Sequence, residues 1–204
     1  MKKIVLVCLM MLGIMAKAQN GYQIGDLAAT FNLKNVDGKN VSFANYTDSK
    51  GFIIVFTCNT CPVAKAYQDR VEALNSTYAA KGYPVIAINT NDPIASPGDS
   101  YTKMQELAKN KQLSYAYLED PDHIYTKKYG AMKTPHVFIV QKAAKGFEVA
   151  YIGAIDNDQE ETLAQRTNYV KNAVDELLAG KKPTINTTKA IGCSIKWKKI
   201  ASEK

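Results

Sequence analysis

The chain is poor in metal-binding side chains. Its 204 residues include four cysteines and two histidines. A structural zinc site takes about four ligands, and there is no second C-x-x-C and no paired histidine to supply them. Internal repeats are absent, which excludes a solenoid. Beyond residue 18 no apolar run is long enough to cross a bilayer. Lysines are scattered apart from Lys181, Lys182, Lys196, Lys198 and Lys199, without interleaved aromatics. No nucleic-acid surface is expected from that pattern.

Residues 1–18 have the layout of a secretory signal. Lys2 and Lys3 form a charged start, Ile4 to Met15 an apolar stretch, and Ala16-Lys17-Ala18 a small-x-small cleavage site. The mature chain is then expected to begin at Gln19. Removing Lys2, Lys3 and Lys17 takes the formal charge from +7 to about +4. Cys8 would leave with the segment, and Val7 before it is too large for a lipid-anchor site. The expected location is periplasmic or otherwise extracytoplasmic, where disulfides persist, with no integral membrane segment after cleavage. The remainder, 19–204, suits one α/β domain with a polar tail over 184–204.

Three cysteines stay in the mature chain: Cys58, Cys61 and Cys193. An odd count argues against a structural disulfide framework. Cys58-Asn59-Thr60-Cys61-Pro62 lies between an apolar, β-branched run, Phe52 to Thr57, and a stretch from Val63 to Ala80 with apolar residues at helical spacing. The two cysteines therefore sit at a strand-to-helix turn. Proline favours the first helical position, which makes Cys61 the residue that caps the helix. Unpaired N–H groups and the positive dipole end there stabilise a thiolate. This is the pattern of a dithiol/disulfide centre; two buried structural cysteines or half a zinc site are the bland alternatives.

The rest of the chain reads as follows. Thr30 to Leu33 and Asn40 to Phe43 alternate in period two around Asp37-Gly38, a β-hairpin signal. Gly21 to Ala29 reads as an exposed lead-in. Pro84 to Asn89 and Val137 to Val140 read as buried strands. Ser114 to Leu118 is a short strand, and Glu148 to Ile155 a returning antiparallel one. Helices are expected from Asp99 or Ser100 to Asn110, after Asp120-Pro121-Asp122 to Tyr129, and over Thr167 to Ala179. That order gives a mixed central sheet with helices on both faces and an N-terminal β-hairpin. His123 is expected to be exposed at a helix start. His136 reads as a surface residue or a neighbour of the sulfurs. Ile195 and Trp197 are expected to anchor the tail by burial.

Five stretches together carry a family resemblance. They are Cys58-Asn59-Thr60-Cys61-Pro62, Ile88-Asn89-Thr90-Asn91-Asp92, Gly130-Ala131 before Thr134-Pro135, Tyr151-Ile152-Gly153-Ala154-Ile155-Asp156, and Gly192-Cys193-Ser194-Ile195-Lys196-Trp197. The chain resembles the alkyl hydroperoxide reductase/thiol-specific antioxidant (redoxin) group, in its peroxiredoxin-like branch that carries C-x-x-C. The resemblance implies a thioredoxin-like fold and redox chemistry at Cys58 and Cys61. It also implies a cis Pro135 facing the cysteines, with Thr134 backbone groups free to pair with a substrate peptide. No cofactor is implied.

The peroxidase pattern is incomplete. Peroxiredoxins place a threonine three residues before the reactive cysteine, where this chain has Cys58. Their arginine falls near His136. Without those donors the peroxide transition state loses two hydrogen bonds. The leading expectation is therefore a thiol–disulfide oxidoreductase acting on a thiol or disulfide of a protein or small molecule. Cys61 exchanges, Cys58 resolves, and Cys193 is a candidate third redox cysteine, a buried small residue or a free thiol. A low reduction potential would point to a membrane electron donor. A thiol peroxidase (antioxidant) ranks second. A copper-binding or delivery module using Cys58, Cys61 and His136 ranks third.

Overall fold

A computed structural model describes residues 21–199. The expected signal segment over 1–18 lies outside the described residues. The elements in order are β1 (Leu27–Ala28), β2 (Leu33–Lys34), β3 (Asn40–Val41), β4 (Gly51–Thr57), α1 (Pro62–Ala66), α2 (Gln68–Tyr78), β5 (Val85–Asn89), α3 (Tyr101–Lys111), β6 (Ala116–Glu119), α4 (Ile124–Tyr129), β7 (Lys133–Thr134), β8 (His136–Ala143), β9 (Gly146–Gly153), α5 (Tyr169–Leu178) and β10 (Cys193–Ser194). Six strands form one sheet in the order β1-β9-β8-β4-β5-β6. β4, β5 and β6 run parallel, whereas β8, β9 and β1 add antiparallel to the other side of β4.

β4 is central because every residue from Gly51 to Phe56 is apolar or small and buried. Its alternation divides the core in two. Ile53 and Val55 face α2 and α5, meeting Tyr67, Val71, Leu74, Val170, Val174 and Leu177. Phe52, Ile54 and Phe56 face the opposite way, onto Phe31, Phe43 and Tyr129 of α4. The strip Val170, Ala173, Val174 and Leu177 is one helical face at i, i+3, i+4, i+7, which is why α5 lies flat on the sheet. Helices thus cover both faces, and β2–β3 form the N-terminal hairpin.

Five local readings need correction. The helix expected as one piece over Val63 to Ala80 is broken at Tyr67, whose phenol is held by Asp156 at 2.9 Å. The lead-in is not simply exposed chain: Leu27 and Ala28 pair with Glu148 and Phe147. The tail contains a strand, β10, laid antiparallel on β7. His123 caps α4 but is buried, because Trp197 from the tail lies over its ring at 4.9 Å. Trp197 itself stays 41% exposed, so burial anchors the tail through Ile195 alone.

Candidate functional site

The site sits where β4 ends against the β7–β8 junction. Pro62 is the first residue of α1 and Cys61 is its N-cap, with extended φ/ψ of −67° and 123°. Cys58 lies one loop upstream. The turn between them is fixed by a carboxylate from far along the chain. Asp99 Oδ1 accepts the N–H groups of Asn59 and Thr60 at 2.5 and 3.2 Å, and Oδ2 accepts the Thr60 hydroxyl at 2.7 Å. Asn59 is held further by Tyr117, whose hydroxyl donates to its Oδ1 at 2.7 Å. The sequence reading passed over Asp99, Asn59 and Tyr117 as functional-site residues. Only the Asp-Ser helix-cap signal at 99–100 hinted that Asp99 was structured.

Thr134 and Pro135 close the site from the other side. The peptide bond between them is cis. Thr134 meets both sulfurs: Cys58 Sγ is 3.3 Å from its hydroxyl, and Cys61 Sγ is 3.2 Å from its carbonyl oxygen. Cys58 and Cys61 are 5% and 3% exposed. The sequence spacing led to a Cys58/Cys61 pair, but the bond in this structure is different. Cys61 is joined to Cys193, and Cys58 is left as a free thiol. The physical reason is strand pairing: β10 on β7 sets Cys193 opposite Thr134 and brings its Cα within 5.9 Å of that of Cys61, inside disulfide reach. Cys58, Cys61 and Cys193 pack in one small apolar cluster with Val63 and Ala64.

The tail reaches this place through a close approach. Gly192 has φ 149°, and a Cβ there would run into the carbonyl oxygen of Thr134. Gly192→Ala should therefore strain this contact by about 1–3 kcal/mol and unseat β10. The expected outcome is faster alkylation of Cys193 in the reduced protein, with unchanged labelling of Cys58. Equal Cys193 labelling in both proteins would show that the backbone absorbs the methyl group.

His136 does not join the sulfurs. It is 5% exposed, its ring lies tilted against Phe138 with centroids 4.7 Å apart, and it lines a separate groove with Met132, Ile152 and Thr187. Burial pushes its pKa down to about 4, so the ring is neutral near neutral pH. Among the described residues no three His, Cys, Asp or Glu side chains gather as a metal site, and the set Cys58, Cys61 and His136 is not assembled. No helix among them is long and apolar enough to cross a membrane. The chain has two arginines, and both turn to Asp156: Arg70 at 2.8 Å and Arg166 at 3.8 Å.

Comparison with known proteins shows the family and the fold. The model of the AhpC/TSA family matches residues 24–170. An uncharacterized conserved protein of Geobacillus kaustophilus is 32% identical over 89% of this chain and 96% of its own, with a TM-score of 0.81. A hypothetical protein of Sinorhizobium meliloti is 28% identical over 87% of this chain and 96% of its own, with a TM-score of 0.79. The thioredoxin domain of a thiol-disulfide oxidoreductase of Bacteroides vulgatus is 12% identical over 78% of this chain and 99% of its own. Its TM-score of 0.58 is a likeness of fold alone, and that fold is thioredoxin-like. No curated protein matches the sequence.

Proposed function

Because the chain belongs to the AhpC/TSA family, and so is an oxidoreductase of the redoxin type, we propose that it catalyses thiol–disulfide exchange with Cys61 as the central sulfur. The observation that carries this reading is the meeting of three sulfurs at Thr134–Pro135, with Cys61 bonded to Cys193 while Cys58 waits as a thiol. Exchange needs only a thiolate, a disulfide sulfur and a leaving thiol. All three can be supplied around Cys61.

The substrate is a thiol or disulfide of a protein or small molecule, and a membrane electron carrier would serve as donor if the potential is low. We place the protein outside the cytoplasm on the strength of residues 1–18, whose charged start, apolar stretch and small-x-small end fit a cleaved signal. A peroxidase reading has less support. A guanidinium stabilises the developing charge in such chemistry, and both arginines are occupied at Asp156.

Cys61→Ser should reduce the catalysed reduction of a small disulfide by dithiothreitol to the background rate, although Cys58 and Cys193 remain. Wild-type turnover in that variant would overturn the proposal. Stopped-flow oxidation by peroxide is expected to run no faster than for an unassisted thiolate at the same pH.

A further inference from the structure

We propose that Cys193 is the outward sulfur of a three-cysteine relay, carrying the disulfide between the buried Cys58–Cys61 turn and outside thiols. The inference rests on the exchange chemistry proposed above and names the group that meets the partner. Its first support is burial. Cys58 and Cys61 are almost fully enclosed, whereas Cys193 is partly exposed. A partner thiol cannot come onto Cys61 while β10 lies on β7, but it can come onto Cys193.

The second support is how the tail is held. Lys196 donates its N–H to Asn91 Oδ1 at 2.9 Å and accepts the Asp92 N–H at 2.8 Å. Lys198 donates its N–H to His123 Nε2 at 2.9 Å and its ammonium to Asp122 at 2.8 Å. Apart from buried Ile195, the strap is held by these few polar bonds, to the buried Asn91, Asp92 and His123 and to the exposed Asp122, and β10 is only two residues long. The bond to Cys61 is therefore the strongest fastening of the strap, and breaking it lets the strand lift.

The third support is Cys58. It lies in the same cluster with no sulfur partner. The Thr134 hydroxyl, a possible donor, faces its sulfur at 3.3 Å. The carbonyl oxygen beside Cys61 offers no such donor. Cys58 is thus the internal attacker and Cys61 the sulfur attacked.

The steps balance without an added oxidant. In the internal step the Cys58 thiolate attacks Cys61 Sγ. The Cys58–Cys61 bond forms, the Cys61–Cys193 bond breaks, and its electron pair leaves on Cys193, which takes the proton given up by Cys58. No sulfur is oxidised overall. In the outward step an outside thiolate attacks Cys193 Sγ of the Cys61–Cys193 bond. A mixed disulfide forms on Cys193, and Cys61 leaves as thiolate. A second outside thiolate then attacks the partner sulfur and releases Cys193, so two outside thiols are oxidised and one protein disulfide is reduced. The reverse sequence reduces an outside disulfide.

The test uses the full chain, oxidised and then briefly exposed to glutathione, quenched in acid, alkylated and mapped by peptide mass. Glutathione is expected on Cys193 before Cys58 or Cys61. Both Cys61–Cys193 and Cys58–Cys61 should be found before glutathione is added. Thr134→Val, which keeps shape and strand pairing but removes the hydroxyl 3.3 Å from Cys58 Sγ, should slow the appearance of Cys58–Cys61 roughly tenfold. If Cys193 alkylates as a free thiol in every sample, or Cys58 never enters a disulfide, the relay is overturned while exchange through Cys61 still stands. Failure of the exchange proposal would instead show as wild-type turnover in Cys61→Ser.

Discussion

Asp99→Ala is expected to cost about 3–4 kcal/mol of stability and to slow disulfide exchange further than the lost folded fraction explains. The carboxylate is buried and is satisfied by donors rather than by a lysine or arginine. Five come to it: the N–H groups of Asn59 and Thr60, the hydroxyls of Thr60 and Ser96, and the amide of Asn91. Thr60 is exposed and Ser96 partly so, and water can replace what they lose. The Asn59 N–H and the Asn91 amide are buried and would be stranded at about 1–3 kcal/mol each. Asn91 also holds Lys196 of the tail, so the same substitution loosens the cysteine turn and the strap together. Asp99→Asn keeps the volume but turns a donor toward donors, and should lose about half as much. Urea unfolding with slopes compared between variants reads the stability. A loss below about 1 kcal/mol for alanine would show that the clamp is not needed.

The legibility of this molecule follows from the range of its interactions. Buried strands such as β4, β5 and β8 announce themselves through continuous apolar runs, and α5 through its spaced Val170, Ala173, Val174 and Leu177. Pro62 locates the helix start, and with it Cys61 at the cap, because a proline ring and a missing N–H suit only that position. These signals are local. The bond between Cys61 and Cys193 spans 132 residues, and it depends on a two-residue strand that has no periodicity to read. Asp99 reads only as a helix-start residue beside Ser100, since the Asn59 and Thr60 groups it holds lie about 40 residues upstream. His123 was misread for the same reason. Nothing near Asp120-Pro121-Asp122 reveals that Trp197 will cover it. The family resemblance pointed to the cis Thr134–Pro135 bond, which composition and spacing alone could not.

Stability should fall between about pH 6.5 and pH 4, and a definable part of the fall belongs to His136. In the folded protein burial holds its pKa down at about 4, against an ordinary 6.5. Its Nδ1 faces the Met132 N–H at 3.4 Å, which also favours the neutral ring. Above the unfolded value neither state binds the proton, and the full stability is present. As pH falls below 6.5 the unfolded chain takes up the proton while the folded chain does not, so unfolding is favoured until the folded value is reached. A gap of about 2.5 units amounts to about 3 kcal/mol at its limit. His123, also pushed down by burial, adds in the same direction. Carboxylates contribute mainly at lower pH. The isolating measurement is therefore a difference: urea unfolding of wild type and His136→Asn at about pH 7 and about pH 4.5. The wild type should lose about 2–3 kcal/mol more than the variant across that window. Parallel losses in the two proteins would mean that His136 is protonated in the folded state at the same pH as in the unfolded one.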